Sequence, residues 1–247
     1  MSAAPPKGTA AILVIGNEIL SGKVVDTNSA FLAKELRVQG VSLRRMVVIP
    51  DEIDVIAAEV QAMQHTVDVL FTSGGVGPTH DDVTIAGVAR GLGRAVIRHP
   101  ALESKLREYF GAELNDARLK LAEVVEGTEL EYHGGLRFPT FQIENIYVLP
   151  GIPEIFREEV LALRDRLASD PFHLRVVYLR EMESTIAEYL NRTLEEFPDL
   201  LLGSYPKLND PEYDVRITLE SKDRHYVERA LTALLAMLPP RAVVRME

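Results

Sequence analysis

Residues 72–84 form a glycine-rich loop whose composition suits the binding of a phosphate. The segment reads T-S-G-G-V-G-P-T-H-D-D-V-T. Gly74, Gly75 and Gly77 lack a Cβ, so the backbone can adopt positive φ and approach a ligand closely. The start of a following helix would add free N–H groups and a partial positive charge. A tight turn between a strand and a helix, with no ligand, is the alternative, and the loop alone leaves both open.

Four acidic residues in or near predicted loops could serve a metal ion or only cap helices. An aspartate before V-T-I is typical of a helix N-cap, but Asp81 and Asp82 are one more acid than a cap needs. A carboxylate beside a phosphate is repelled unless a cation lies between them, and Mg²⁺ sites combine one or two carboxylates with ligand phosphates in this way. Asp51 poses the same choice, since D-E-I-D resembles a shortened capping box. Glu18 lies in a predicted loop and has no helix to cap.

Several other chemistries find no support in the residue types. The chain has no cysteine, which excludes disulfides, thiolate metal sites and thiol nucleophiles. The six histidines show no metal-ligand spacing, and His80, which lies in the glycine loop, is expected at the surface. The motifs of a serine hydrolase, a Walker loop and a dinucleotide fingerprint are all missing from the sequence.

Alternating apolar runs and amphipathic segments predict a parallel sheet in the first hundred residues. Between the predicted strands, apolar residues three and four apart indicate helices, as with Leu32 and Leu36, and Thr27 or Asn28 could cap the first of them. Strands that alternate with helices of this length imply right-handed crossovers and a sheet covered on both faces. The apolar runs that indicate strands lie at 10–16, 47–49, 67–72 and 95–97.

Irregular segments at 16–22, 50–52 and 73–82 each follow one of these predicted strands, and L-P-G at 149–151 follows a later one. Ligands of open α/β sheets bind outside the carboxyl ends of the strands. We therefore expect at least the first three segments to share one rim of the sheet. This convergence carries more weight than any single motif.

The remainder of the chain divides near residue 170. Residues 141–151 predict a strand pair bent around Glu144-Asn145, and a helix follows it. After Asp170-Pro171 the predicted order becomes β-α-β-β-α-β, which is a ferredoxin-like or KH-like unit. We predict a first domain at 1–170 and a smaller α+β domain at 171–247.

Composition limits the partners and the compartment. The 27 basic and 37 acidic residues give a net charge of −10, which argues against a general nucleic-acid binder. No apolar run approaches the roughly 18 residues that a membrane span needs, and the first eight residues do not resemble a secretory signal. We expect a cytoplasmic protein without a membrane partner.

The ordered motifs resemble those of a known family. I-G-N-E-I-L-S-G-K-V-V-D-T-N-S, P-D-E, S-G-G-V-G-P-T-H-D-D-V-T and L-P-G-I-P-E occur in the order found in the MoaB/Mog molybdopterin-binding domain, and the version here is similar to that of the CinA (competence/damage-inducible) family. G-S-Y-P at 203–206 resembles the second module of CinA proteins. The resemblance implies a three-layer α/β/α first domain with a mostly parallel sheet. It covers essentially the whole chain.

The resemblance also implies a reaction and a set of site residues. Mog-type enzymes use two aspartates to transfer an adenylyl group to molybdopterin, and the matching positions here are Asp51 and Asp82. CinA-type proteins are associated with metal-dependent hydrolysis of ADP-ribose-like pyrophosphates, and a related domain of FAD synthases acts on FAD. The expected metal ligands are Asp51, Asp82 and Glu18. The expected phosphate or nucleotide contacts are Gly16, Glu18, Asn28, Ser73, Gly74, Gly75, Gly77, Pro78, Thr79, Pro150 and Gly151.

Three functional hypotheses follow from this resemblance. The first is a nucleotide pyrophosphatase that acts on ADP-ribose or an FAD-like dinucleotide and uses Mg²⁺, Mn²⁺ or Co²⁺. The second is the binding or adenylylation of molybdopterin, and the third is a nucleotide-binding or pterin-binding protein without catalysis. Relatives of both kinds are oligomers, so a homo-oligomer, a dimer or a trimer, is expected. The sequence lacks the deamidase domain of full-length members, and we expect no deamidase activity.

Overall fold

The chain divides into two compact units, one ending at Ser169 and the other beginning at Asp170. The structure, a computed structural model, describes residues 8–136, 138–239 and 241–247. The first seven residues, on which the expected lack of a signal rests, lie outside that description. Each helix in the described ranges is too short or too polar to cross a bilayer.

The first unit is built on a six-stranded sheet. Its order is β2-β1-β3-β8-β7-β6, in which the first four strands are parallel and the last two are joined on through antiparallel pairs. A tight turn at Glu144-Asn145 joins β7 to β8 and confirms the predicted strand pair. The strands of this sheet are β1 Thr9–Ile15, β2 Ser42–Ile49, β3 Val69–Ser73, β6 Glu129–Glu131, β7 Thr140–Ile143 and β8 Ile146–Leu149.

Helices cover both faces of this sheet, as the alternation of elements predicts. One apolar core lies between the sheet and α2 and α7, and a second lies between the sheet and α3 and α4. The strand β1 is buried along almost its whole length because it contributes to both cores. The helices are α1 Asn17–Leu20, α2 Asn28–Val38, α3 Ile53–Met63, α4 Thr84–Gly91, α5 Pro100–Phe110, α6 Asp116–Lys120, α7 Pro153–Ala162 and α8 Arg164–Leu167.

One predicted strand lies outside the main sheet. The run at 95–97 was expected to be the fourth strand of the parallel sheet. The strand β4, Val96–Arg98, instead pairs antiparallel with β5, Glu123–Val125, in a separate two-stranded sheet. The fourth parallel neighbour is β8, which an apolar pattern cannot reveal because pairing depends on segments distant in sequence.

The second unit has the predicted order of elements. Its four strands form an antiparallel sheet in the order β10-β11-β9-β12, which is the ferredoxin-like arrangement. Residues of both helices pack with one face of the sheet in a single core. The elements are β9 His173–Leu179, α9 Glu183–Glu196, β10 Leu201–Pro206, β11 Val215–Ser221, α10 Arg224–Met237 and β12 Val243–Met246.

Candidate functional site

The loops after β1, β2, β3 and β8 meet at one rim of the main sheet. The Gly16 N–H donates to the Ile49 carbonyl at 3.1 Å, and the Gly74 N–H donates to the Leu149 carbonyl at 3.3 Å. The expected convergence of the first three segments is therefore present, and the L-P-G segment joins them. Parallel pairing causes this, because parallel strands place their carboxyl ends at the same edge.

A buried asparagine, Asn28, links segments of the rim through its side-chain hydrogen bonds. The Asn28 Nδ2 group donates to the Ser73 Oγ at 3.0 Å and to the Gly151 carbonyl at 2.9 Å. Asn28 is the first residue of α2, so it links that helix to the ends of β3 and β8. Thr27 occupies the N-cap position of α2, as one of the two predicted alternatives, but its side chain makes no capping bond, and the Asp26 Oδ1 accepts from the Ser29 N–H at 3.0 Å instead.

The glycine loop needs glycine for its own geometry. Gly74 has a φ of +100°, and a Cβ there would lie 2.2 Å from the Ile15 carbonyl oxygen. Gly75 has a φ of +62°, and its Cβ would lie 2.3 Å from the Thr84 Oγ1 atom. That hydroxyl donates to the Gly74 carbonyl at 2.8 Å. These contacts within the protein therefore hold the loop against β1 and the start of α4.

The loop acids do not cap α4, so that interpretation was wrong. The N-cap position is Val83, which has no side-chain capping bond. The Asp82 Oδ2 accepts from the Thr79 N–H at 2.8 Å and also from the Thr79 hydroxyl, which folds the loop back on itself. His80 points away with a side chain that is 98% exposed, as the sequence predicts.

Asp51 is not a capping residue either. The N-cap of α3 is Glu52, which makes no side-chain capping bond. The Asp51 Oδ2 accepts instead from the Asn17 N–H at 2.7 Å, at the first residue of α1. This bond connects the end of β2 to α1, the short helix that carries Glu18, so the prediction that Glu18 lies in a loop was wrong.

A cavity of about 720 Å³ opens beside the glycine loop. The apolar side chains that line it include Phe138, Phe141 and Ile155. Of the residues predicted for the site, those on its wall are Glu18, Gly74, Gly75, Gly77, Pro78, Asp82, Pro150 and Gly151. Gly16, Asn28, Ser73, Thr79 and Asp51 do not form the wall, although they shape or adjoin the rim.

A second, more open hollow of about 610 Å³ contains Asp51. Asp81 and Lys23 also line it, and Glu18 lines both hollows. The three expected metal ligands are thus divided between two adjoining spaces. Within the described ranges, no group of three or more histidine, aspartate or glutamate side chains is arranged to hold a metal ion. A Mg²⁺-type ion at these carboxylates would have to take most of its ligands from water and phosphate.

Three charged residues of the cavity wall were not predicted from the sequence: Glu123 of β5, and Lys120 and Glu159 of two helices. Lys120, the last residue of α6, donates from Nζ to the Thr79 carbonyl of the glycine loop. Glu159 lies on α7 one turn after Ile155, so the two share a helix face. No local motif marks these residues, because each reaches the cavity only through the packing of distant segments.

Glu159 is an unusual carboxyl group because it is 7% exposed. Burial raises the pKa of its carboxyl to about 7, and the neighbouring Thr140 acts in the opposite direction. Loss of hydration is therefore the main cause of the raised pKa of Glu159, and no cation among the described residues contributes to it.

Comparisons with known proteins match both units. The family described as "Probable molybdopterin binding domain" matches residues 11–168, and the one described as "FAD synthase, middle domain" matches residues 171–247. A crystal structure of the protein CinA from Thermoplasma acidophilum, described as having unknown function, superposes with a TM-score of 0.59 at 28% identity. It covers 64% of this chain and 97% of that chain. The chain belongs to the CinA family.

Other relatives of this CinA-family chain have similar lengths or twice its length. A protein of Archaeoglobus fulgidus is 32% identical over 222 residues, which cover 89% of this chain and 93% of that protein. Protein TK1472 of Thermococcus kodakarensis is 37% identical, and the match covers 80% of this chain and 85% of that protein. A "Probable FAD synthase" of Caenorhabditis elegans is 35% identical over 95% of this chain, but the CinA-family chain spans only 50% of that enzyme's length.

Proposed function

We propose that this protein binds a nucleotide diphosphate across the rim of its first unit and hydrolyses the pyrophosphate bond with the help of a divalent metal ion. The observation that carries the proposal is the composition of the cavity. Its lining divides into two kinds of groups: the glycine loop with Asp82 and Lys120, and a set of aromatic and aliphatic side chains. A ligand with both a phosphate group and a flat ring matches this division.

The glycine loop and its surroundings supply both positive charge and backbone donors. Lys120 is fixed beside the glycine loop by its bond to the Thr79 carbonyl. Gly77 lies on the cavity wall, and its missing Cβ leaves room for the Asp82 carboxylate. Pro150 and Gly151, which follow β8, line the same cavity. A diphosphate placed here would contact a lysine ammonium group and a carboxylate that requires a cation between itself and the ligand.

Asp82, Glu18 and Asp51 are the residues that would hold the metal ion. A bound divalent cation supplies neutralisation of phosphate charge and a lower pKa of bound water. The reaction adds water across the P–O–P bridge, so that one phosphorus–oxygen bond forms, the bridging bond breaks and two phosphate monoesters leave. The substrates that fit are ADP-ribose and FAD-like dinucleotides. The match of residues 171–247 to the FAD synthase middle domain supports the inclusion of FAD.

A second candidate is the binding or adenylylation of molybdopterin. The match of residues 11–168 to the molybdopterin-binding family favours it. The two reactions differ in products: adenylylation consumes ATP and yields an adenylylated pterin, whereas hydrolysis of ADP-ribose yields AMP and ribose 5-phosphate. Nucleotide binding without either product would indicate a binding protein.

The test is to incubate the full chain with ADP-ribose, FAD and NADH in turn, with Mg²⁺, Mn²⁺ or Co²⁺, and to separate the products by chromatography. We expect phosphate monoesters from at least one dinucleotide, and EDTA should stop their formation. The Asp82→Asn variant should lower turnover by at least about a hundredfold, because it removes the charge that the cation bridges.

The matched control is Asp165→Asn, which changes an exposed aspartate on α8 away from the rim. It should turn over substrate at the wild-type rate. No turnover of any dinucleotide, or turnover that survives Asp82→Asn unchanged, would contradict the proposal.

A further inference from the structure

The cavity wall contains one buried carboxyl group that the proposed hydrolysis does not use. Glu159 lines the cavity from α7, and Ile155 lines it from the preceding turn of the same helix. The other charged groups on the cavity wall are Glu18, Asp82, Lys120 and Glu123. None of them contributes to the shifted titration of Glu159.

The neighbouring surface is unusually apolar for an accessible wall. Val96, Phe138, Ile152 and Ile155 line the cavity and are each between 37% and 56% exposed. Large apolar side chains gathered on one concave surface mark a binding site for an apolar or aromatic group. A ring packed against Ile155 would bring its edge toward Glu159, because the two side chains are one turn apart on the same face of α7.

The sheet fixes the distance between Thr140, which lies beside Glu159, and the glycine loop. Thr140, the neighbour of Glu159, begins β7, and the glycine loop follows β3. β8 lies between these strands, so they are two strand spacings apart, or about 10 Å. This separation is close to the length of one nucleoside monophosphate, whose phosphate would lie over β3 and whose base would lie over β7.

We propose that Glu159 is the specificity residue for the base, and that it pairs with a ring edge on which an amino group lies beside a ring nitrogen, as in adenine. This inference rests on the nucleotide binding in the proposed function. The protonated carboxyl donates its O–H to the ring nitrogen, while its carbonyl oxygen accepts from the amino group. Burial keeps this neutral form populated near pH 7. An edge with two adjacent N–H donors would favour the ionised carboxylate instead.

The experiment compares AMP with purine riboside 5′-monophosphate, which lacks only the amino group. Neither compound contains a pyrophosphate bond, so calorimetry measures binding whether or not the protein hydrolyses dinucleotides. At pH 6 the wild type should bind AMP about tenfold more tightly than the analogue. That preference should shrink by pH 8.5, where the carboxyl is ionised. The phosphates of the two compounds titrate alike, so the ratio of their affinities reflects only the contacts at the ring edge.

Two variants test the residue, and a third serves as the control. Glu159→Leu should abolish the preference for AMP, and it should weaken the analogue less than AMP, because the analogue forms only the bond to the ring nitrogen. Glu159→Gln keeps a donor and an acceptor but cannot ionise, so its preference should persist without pH dependence. Glu158→Gln alters the exposed neighbour on α7 and should behave as wild type.

The outcomes separate the two proposals. Equal affinity of wild type and Glu159→Leu for AMP, or a pH-dependent preference in Glu159→Gln, would overturn the role of Glu159. If ADP-ribose is still hydrolysed in that case, the proposed function stands. If no nucleotide binds to the wild type, both proposals are wrong.

Discussion

Asn28 donates from its Nδ2 to the Gly151 carbonyl at 2.9 Å, and this bond joins the start of α2 to the loop after β8. The residues are 123 positions apart in sequence. Asn28 is also bonded to Ser73, so a single buried amide connects three of the segments that border the candidate site.

The Asn28→Ala variant should lower the free energy of unfolding by about 2 kcal/mol. The substitution leaves the Gly151 carbonyl and the Ser73 hydroxyl without this donor, and unsatisfied buried polar groups are costly. Urea denaturation followed by circular dichroism measures the effect. Asn191→Ala, at an exposed position of α9, should change stability by less than about 0.5 kcal/mol. Equal losses in the two variants would show that the Asn28 bonds contribute nothing.

The Gly74→Ala variant should be destabilised by about 3 kcal/mol or more. Its Cβ would collide with the Ile15 carbonyl oxygen, and the residue would have to keep its positive φ. Gly93→Ala separates these two costs, since Gly93 has a φ of +65° but nothing within 4 Å of the added Cβ. That variant should lose only about 1 kcal/mol. Thermal denaturation of both would test the comparison, and similar losses would refute the clash.

The Glu159 carboxyl should make stability depend on pH. Its folded-state pKa is about 7 against an ordinary value of 4.5, so the folded chain holds the proton more tightly than the unfolded chain. The stability from the neutral form is fully present below about pH 4.5 and is lost as pH rises toward 7. The loss is on the order of 3 kcal/mol, from about 1.4 kcal/mol per pKa unit.

Glu159→Gln should remove this component. Relative to wild type, the variant should gain stability between pH 5 and pH 8, whereas Glu158→Gln should not. Denaturation curves at both pH values provide the measurement. A wild-type and Glu159→Gln difference that is the same at both pH values would show that the carboxyl does not titrate in this range.

Lys120→Met should weaken the binding of ADP-ribose about tenfold. The substitution removes the ammonium group beside the glycine loop, and charge-assisted contacts with phosphate contribute on this scale. Binding should also become less sensitive to salt. Calorimetry at two salt concentrations would measure both effects, with Lys34→Met on the exposed face of α2 as the control. Unchanged affinity in Lys120→Met would exclude a phosphate contact by this lysine. The metal ion and the homo-oligomer stay predictions.

The sequence by itself determined the type and order of most elements, the ferredoxin-like order of the second unit, and the meeting of the first three segments at one rim. These conclusions depend on hydrophobic periodicity and on the rule that parallel strands end at a common edge, both of which can be read locally. The family motifs located the glycine loop and eight residues of the cavity wall.

Only the tertiary structure decided which side chains share a space and what their surroundings do to them. Helix caps are one example, since Thr27 occupies the N-cap position of α2 but the side chain that accepts a bond there is Asp26. The placement of β4 outside the main sheet is another. Lys120 and Glu159 reach the cavity from α6 and α7, and the buried carboxyl of Glu159 has a raised pKa because packing removes water from it. Burial and pairing of this kind arise from contacts between distant segments, so no local pattern of residues could have revealed them.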